Sequence, residues 1–187
     1  MQKLKNIKKN KILHIITDLN TGGAEMMLYK ILHYFNKKDL ELYVIVLMGE
    51  SALSHKYEEL GININYLNLK KERIPSILSF IKLYNYAKIF RPDIIQGWMY
   101  HSNIAAFFLK LLLPSNTTIY WNIRQTLYNI EFEKSLSQLV IKISAFFSRY
   151  INTIIYNSAV GKEQHEKYGF DKSKSLIIYN GFDVNIF

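Results

Sequence analysis

Three short stretches of the chain carry groups suited to holding an anion or a sugar-like ligand. The first is Asp18-Leu19-Asn20-Thr21-Gly22-Gly23-Ala24-Glu25. Two glycines let backbone approach a ligand closely, and a helix opening there presents free N–H groups at the positive end of its dipole, a natural phosphate site. The same turn also reads as a tight cap, with Gly22 at the N-cap and Glu25 steadying the first helical turn. The second stretch, Gln96-Gly97-Trp98-Met99-Tyr100-His101-Ser102-Asn103, gathers polar and aromatic groups. His101 can hydrogen-bond a hydroxyl or a phosphate, or serve as a capping or packing residue, while Ser102 and Asn103 suit a helix start. In the third, Tyr120-Trp121-Asn122-Ile123-Arg124-Gln125-Thr126, Arg124 offers a planar fork for phosphate or carboxylate, or one half of an internal salt bridge.

Other chemistries are poorly served. The dinucleotide pattern Gly-x-Gly-x-x-Gly is absent, and Gly161-Lys162-Glu163 lacks the upstream glycine and the Ser/Thr of a Walker loop. No Asp-x-Asp and no His/Asp/Glu cluster has metal-ligand spacing, so no metal and no cofactor is expected.

The elements that must position these stretches follow from periodicity. Residues 11–17 form a near-continuous β-branched apolar run, as in a buried parallel strand. Ala24, Met27, Leu28, Ile31, Leu32 and Phe35 then recur with helical period. The alternation continues with strands at 41–48, 62–69, 93–98, 117–123, 153–156 and 175–179. Helices are predicted at 53–60, 74–90, 100–113, 131–150 and 159–168, with Pro75, Pro92 and Pro114 as punctuation. Such a chain predicts an α/β, Rossmann-like parallel sheet with helices on both faces. Ligands of open parallel sheets bind at the carboxyl ends of the strands, and all three stretches lie there.

The 187 residues, 49% hydrophobic and 21% charged, suit one domain at 11–187 behind a basic, flexible stretch at 1–10. With no cysteine, no leader pattern and no apolar run beyond about ten residues (104–113, which includes Lys110), the chain is expected in the cytosol and not across a membrane. A net charge of +9 favours anionic partners or reflects compositional drift. Nucleic acid is not expected, because no recognition motif occurs and the tyrosines are spread over all elements. The predicted helix at 74–91 mixes apolar residues with Lys82, Lys88 and Arg91, after Lys70, Lys71 and Arg73. That suits docking on an anionic membrane, peripheral on the inner face of the plasma membrane, or simply a solvated helix face.

Taken in order, these three stretches together with Ile177-Ile178-Tyr179-Asn180-Gly181-Phe182-Asp183 and Phe187 resemble the family 4 retaining glycosyltransferases, over residue 11 to the end. The resemblance implies the N-terminal, acceptor-side half of the GT-B architecture, in which two Rossmann-like domains face each other without a catalytic metal. It implies that Gly22 and Gly23 lie against the diphosphate of a nucleotide-sugar donor, with Glu25 beside them. It also implies that His101 contacts the transferred sugar and that Asn180-Gly181 form the hinge. Tyr100, Asn103 and Arg124 are the candidates for acceptor or phosphate contacts.

The family's C-terminal, donor-binding domain is not reached by this sequence. Glu50 and Glu58 have the spacing of that domain's paired glutamates but not the flanking residues, and carry no role. The expected activity is therefore transfer of a sugar to a glycan or lipid-linked acceptor in capsule or lipopolysaccharide synthesis, with this half inactive alone and its partner domain supplied in cis or in trans. A noncatalytic acceptor- or membrane-binding subunit of a split enzyme is the alternative.

Overall fold

The computed structural model describes residues 10–35, 40–70 and 75–181. The flexible stretch expected at 1–10 lies outside them except for Asn10, which opens the first strand. Lys71, Arg73, Ile74, Phe182, Asp183 and Phe187 also lie outside the described residues.

Within these residues seven strands run parallel: β1 (Asn10–Ile16), β2 (Leu40–Val46), β3 (Asn63–Tyr66), β4 (Ile94–Trp98), β5 (Thr118–Ile123), β6 (Thr153–Tyr156) and β7 (Ser175–Ile177). Their order in the sheet is β3-β2-β1-β4-β5-β6-β7. Among the described residues six helices connect them: α1 (Gly23–Tyr34), α2 (Ser54–Glu59), α3 (Ile77–Phe90), α4 (Met99–Leu111), α5 (Ser135–Phe147) and α6 (Ala159–Lys167). The predicted α/β Rossmann-like fold is thus observed.

Because the order reverses between β1 and β4, right-handed crossovers put α1 and α2 on one face and the later helices on the other. Each face has its own core. Leu28, Leu32 and Tyr57 pack with Val44, Val46 and Trp98 on one side, and Ala87, Phe107 and Ile141 pack with Leu13, Ile95 and Trp121 on the other. The reversal also splays α1 and α4 apart at the carboxyl ends of β1 and β4, which opens a crevice.

Of the predicted elements that come out shorter, three do so for clear local reasons. β3 stops at Tyr66 because Asn68 takes a left-handed φ of 57°. The helix expected at 131–150 is divided: the Asn129 side chain accepts from the Glu131 amide and caps a 3₁₀ turn at Ile130–Phe132, α5 covers only Ser135–Phe147, and Ser148–Tyr150 tightens into a second 3₁₀ turn. The last strand ends at Ile177, though the Ile178 amide still bonds the Tyr156 carbonyl at 2.9 Å.

Two histidines are buried as neutral rings. His14 Nδ1 accepts from Trp98 Nε1 at 3.3 Å, and burial pushes its pKa down to about 4. His165, on α6, meets the Tyr100 hydroxyl with Nε2 at 2.7 Å and the Gly161 carbonyl with Nδ1 at 2.6 Å, and burial lowers its pKa as well. The Gly161 carbonyl can only accept, so Nδ1 bears the hydrogen and Tyr100 donates to Nε2. Protonating either ring must occur on a nitrogen that is already accepting.

Since both folded pKa values lie below the ordinary 6.5, the unfolded chain takes up these protons first. The stabilisation is complete above pH 6.5 and is lost as pH falls from there toward about 4. Denaturant titrations over that window are expected to show a loss of roughly 3 kcal/mol from His14 alone. A flat profile would mean the rings are charged or solvated.

Candidate functional site

The crevice holds a cavity of about 470 Å³ lined by Gly23, Ala24, Glu25, Met99, Arg124, Gln125, Thr126, Asn157 and Ser158. Every one of these residues follows a strand at the carboxyl edge: β1, β4, β5 or β6.

The β1–α1 turn is held from below. Leu19 N–H donates to Ser51 Oγ at 3.0 Å, Leu53 N–H donates to the Leu19 carbonyl at 2.9 Å, and Asn20 N–H closes on Asp18 Oδ1 at 2.9 Å. Tyr57, fully buried on α2, donates its hydroxyl to the Glu25 carbonyl at 2.5 Å and anchors the first turn of α1. Gly22 is the N-cap, with extended φ of −146° and no side-chain cap. The Glu25 side chain folds back over it, so that a Cβ on Gly22 would meet Oε2 at 2.3 Å. Burial pushes the Glu25 carboxyl above the usual carboxylate range, against a hydrogen bond from its own backbone amide, and repulsion from Asp18 adds to the rise. At Gly23 a Cβ would meet nothing within 4 Å, because that side is open to the cavity.

The β4–α4 turn is strained. Met99, the first residue of α4, has φ of +66°, a conformation that costs a non-glycine residue about 1–3 kcal/mol and persists only where its surroundings enforce it. Its Sδ accepts from the Arg124 amide at 3.4 Å. Thr17 Oγ1 and Ser102 Oγ lie 3.1 Å apart and tie the end of β1 to α4.

Arg124 forms the opposite wall. Its guanidinium sits 5.2 Å over the ring of the buried Trp98, which His14 holds from its indole N–H. Its Nη1 donates to Asn180 Oδ1, while Nε is buried and makes no hydrogen bond. Among the described residues no carboxylate lies within ion-pair distance of it. Burial pushes its pKa down to about 10, which leaves it cationic at neutral pH. A half-buried cation with no counter-charge among the described residues and a spare donor, beside a helix N-terminus, has the chemistry to hold an anion.

Of the residues singled out in the sequence, Gly22, Gly23, Glu25 and Arg124 meet at the crevice, and Asn180 joins them through Arg124. Tyr100 does not: it is buried, its hydroxyl is spent on His165, and burial raises its pKa. Asn103 is likewise fully buried, packed on Gly97, with both side-chain polar atoms unpartnered. Neither lines the cavity. His101 is exposed on the first turn of α4, outside the lining of the cavity, and partial desolvation lowers its pKa so that the ring is neutral at pH 7. Gly181 is exposed beside Asn180.

Asn157 and Ser158 were missed by sequence reasoning. Ser158 caps α6, accepting from Gly161 N–H at 3.0 Å, and a Ser opening a helix at a strand's carboxyl end is the signal that finds it. No group of three or more His, Cys, Asp or Glu side chains among the described residues stands together to hold a metal ion. No helix among them is long and apolar enough to cross a membrane.

The sequence model of Glycosyltransferase Family 4 matches residues 21–186. The chain belongs to this family. It is 26% identical over 184 residues to the capsular polysaccharide biosynthesis glycosyltransferase CapH of Staphylococcus aureus, covering 94% of this chain and 48% of that protein. Among solved structures it is similar to Anabaena Alr3699/HepE in complex with UDP, with a TM-score of 0.76 at 19% identity over 94% of this chain and 45% of the other. The same protein in complex with UDP-glucose gives 0.74 at 19% identity, over 94% and 45%. The lipopolysaccharide outer core galactosyltransferase WaaB, in its apo form, gives 0.64 at 17% identity, over 93% and 46%. The fold is that of one half of these GT-B glycosyltransferases, and the chain spans about half the length of the relatives it matches.

Proposed function

We propose that this chain is the N-terminal, acceptor-side half of a retaining, metal-independent glycosyltransferase, which moves a sugar from a nucleoside-diphosphate donor to a glycan or lipid-linked acceptor in surface polysaccharide synthesis. The single observation that carries the reading is the cavity between the open amide edge at Gly23 and the uncompensated guanidinium of Arg124. The UDP and UDP-glucose of HepE and the capsule synthesis of CapH supply the classes of donor and product.

In this reading the Gly22 and Gly23 amides and Arg124 face the diphosphate, whose negative charge grows as the glycosidic bond breaks. Donors already in place for that charge lower the barrier. Glu25 cannot oppose a phosphate as an anion, so it swings off the helix N-terminus and accepts hydrogen bonds from sugar hydroxyls. His101, neutral and exposed, bonds the transferred sugar as it becomes oxocarbenium-like, and so favours the transition state over the ground state. Asn180-Gly181 form the hinge to a second domain that holds most of the nucleotide. The enzyme works on the cytoplasmic side.

Gly23→Ala in the protein that carries both halves tests this. Alanine suits the first turn of a helix and the site is open, so stability is expected to hold or to rise by about 0.4–1 kcal/mol. The methyl group intrudes on the donor phosphate, and KM for the nucleotide sugar is expected to rise about tenfold or more. Unchanged KM and kcat would remove the Gly22-Gly23 turn from the donor site.

A further inference from the structure

The first turn of α4 holds an unfavourable backbone conformation that its surroundings must enforce. Met99 sits at φ of +66°, and a non-glycine residue stays in that region only where its neighbours over-determine it. Tyr100, the next residue, is buried and reaches across to α6, where its hydroxyl donates to His165 Nε2 at 2.7 Å.

His165 has no freedom to turn away. It is fully buried, its Nδ1–H donates to the Gly161 carbonyl at 2.6 Å one turn back on the same helix, and the Tyr156 and Phe170 rings lie 5.4 and 5.1 Å from its own. Both ring nitrogens are therefore engaged, one as donor and one as acceptor, and the imidazole ties α4 to α6.

Both ends of this link stand beside the cavity. Met99 lines it, and its Sδ accepts from the amide of Arg124, which also lines it. On the other side α6 is seated closely, since a Cβ on Gly161 would lie 2.9 Å from Ser158 Oγ and 3.3 Å from the Gln125 carbonyl oxygen, and Ser158 and Gln125 are both lining residues. Gln164, next to His165, accepts from the Leu127 amide at 2.8 Å and fixes the loop after β5 to the same helix. A side chain that does not line the cavity thus sets the spacing of two of its walls and the direction of the turn that carries His101.

We propose that His165 is a positioning residue for the sugar transfer: through Tyr100 it holds the Met99 turn in its left-handed form and so aims His101 at the reacting sugar. The proposal rests on the transferase reading, in which His101 contacts that sugar. The Gly22-Gly23 wall does not depend on this link, because Ser51 and Tyr57 hold it from α2 and the loop before it. Losing the link therefore lowers kcat while leaving the KM for the donor close to its parental value.

The test is steady-state kinetics of Y100F, H165N, H165Q and Y100F/H165N in the protein that carries both halves. H165N keeps a donor near the Nδ1 position and loses the acceptor for Tyr100, whereas H165Q places an amide oxygen near the Nε2 position and keeps it. Y100F and H165N are each expected to lower kcat about tenfold or more, with KM for the nucleotide sugar within about threefold, because a small misplacement of a reacting group is costly. The double variant is expected to be no slower than the slower single one, since both remove the same contact, and H165Q to keep kcat within about threefold of the parent. Parental kcat in Y100F, or equal losses in H165N and H165Q, would overturn the proposal. So would variants that lose thermal stability alone while the folded enzyme turns over as before, because His165 would then be a core residue only. A parent protein that turns over no nucleotide sugar would instead overturn the transferase reading, and this proposal with it.

Discussion

In the two-domain enzyme proposed above, His101→Ala is expected to lower kcat by about 10²–10³-fold, the usual cost of removing one preorganised group that acts on developing charge. The chain should fold as before, because His101 is exposed and contributes no core contact. What makes the side chain fit the role is its support. It stands on the first turn of α4, whose direction is set by the left-handed Met99, the Thr17 to Ser102 contact and the close packing of Asn103 on Gly97. Partial desolvation keeps the ring neutral at pH 7, so it can both donate to and accept from sugar hydroxyls. Steady-state kinetics with saturating donor is the measurement. Unchanged turnover would take His101 out of the mechanism and leave the chemistry to the opposite domain.

Gly97→Ala is expected to cost about 3 kcal/mol of stability, the upper range for forcing volume into a packed interior. A Cβ there would lie 2.6 Å from Asn103 Oδ1, 2.7 Å from Asn103 Cα and 2.9 Å from the Ser102 carbonyl oxygen. Two of those atoms are backbone, so no rotamer change relieves the clash and α4 must move off β4. That shift would also displace Met99 and Ser102, and the variant should lose ligand binding along with stability. Denaturant midpoints on parent and variant measure the first effect. A difference within about 0.5 kcal/mol, the ordinary scatter of surface substitutions, would mean α4 is not seated as described.

The fold was legible because every strand but the edge ones is buried on both faces and therefore reads as an apolar run, while α1 and α4 show their period plainly. Their positions also place the Gly22-Gly23 turn, the β4–α4 turn and Arg124 on one edge from the sequence alone. The direction of individual side chains was harder. Successive helical residues diverge by about 100°, so Tyr100, His101, Ser102 and Asn103 point four ways, and only one or two can face outward. The phase is set by the left-handed φ of Met99, which nothing in its residue type announces. That is why Tyr100 and Asn103 fall in the core and His101 outside it.

The outward row of α5, where Leu136, Leu139 and Phe146 are exposed, escaped for a related reason. An apolar stripe is ordinarily taken to face inward, and the small and hydroxylated residues that pack inside, Ser144, Ala145 and Ser148, give no hydrophobic signal. Tyr57 and Asn180 were not readable as supports because their partners, the Glu25 carbonyl and Arg124, are distant in sequence.

The central claim is that the cavity between Gly23 and Arg124 takes the diphosphate of a nucleotide sugar. Titrating the ¹⁵N-labelled chain with UDP and following the amide resonances tests it directly. The predicted result is saturable shifts confined to Gly22–Glu25, Arg124–Thr126 and Asn157–Ser158, weaker than about 0.1 mM because this half supplies only part of the donor site, and abolished by Arg124→Ala. Shifts confined to other parts of the chain, or tight binding that survives Arg124→Ala, would contradict it.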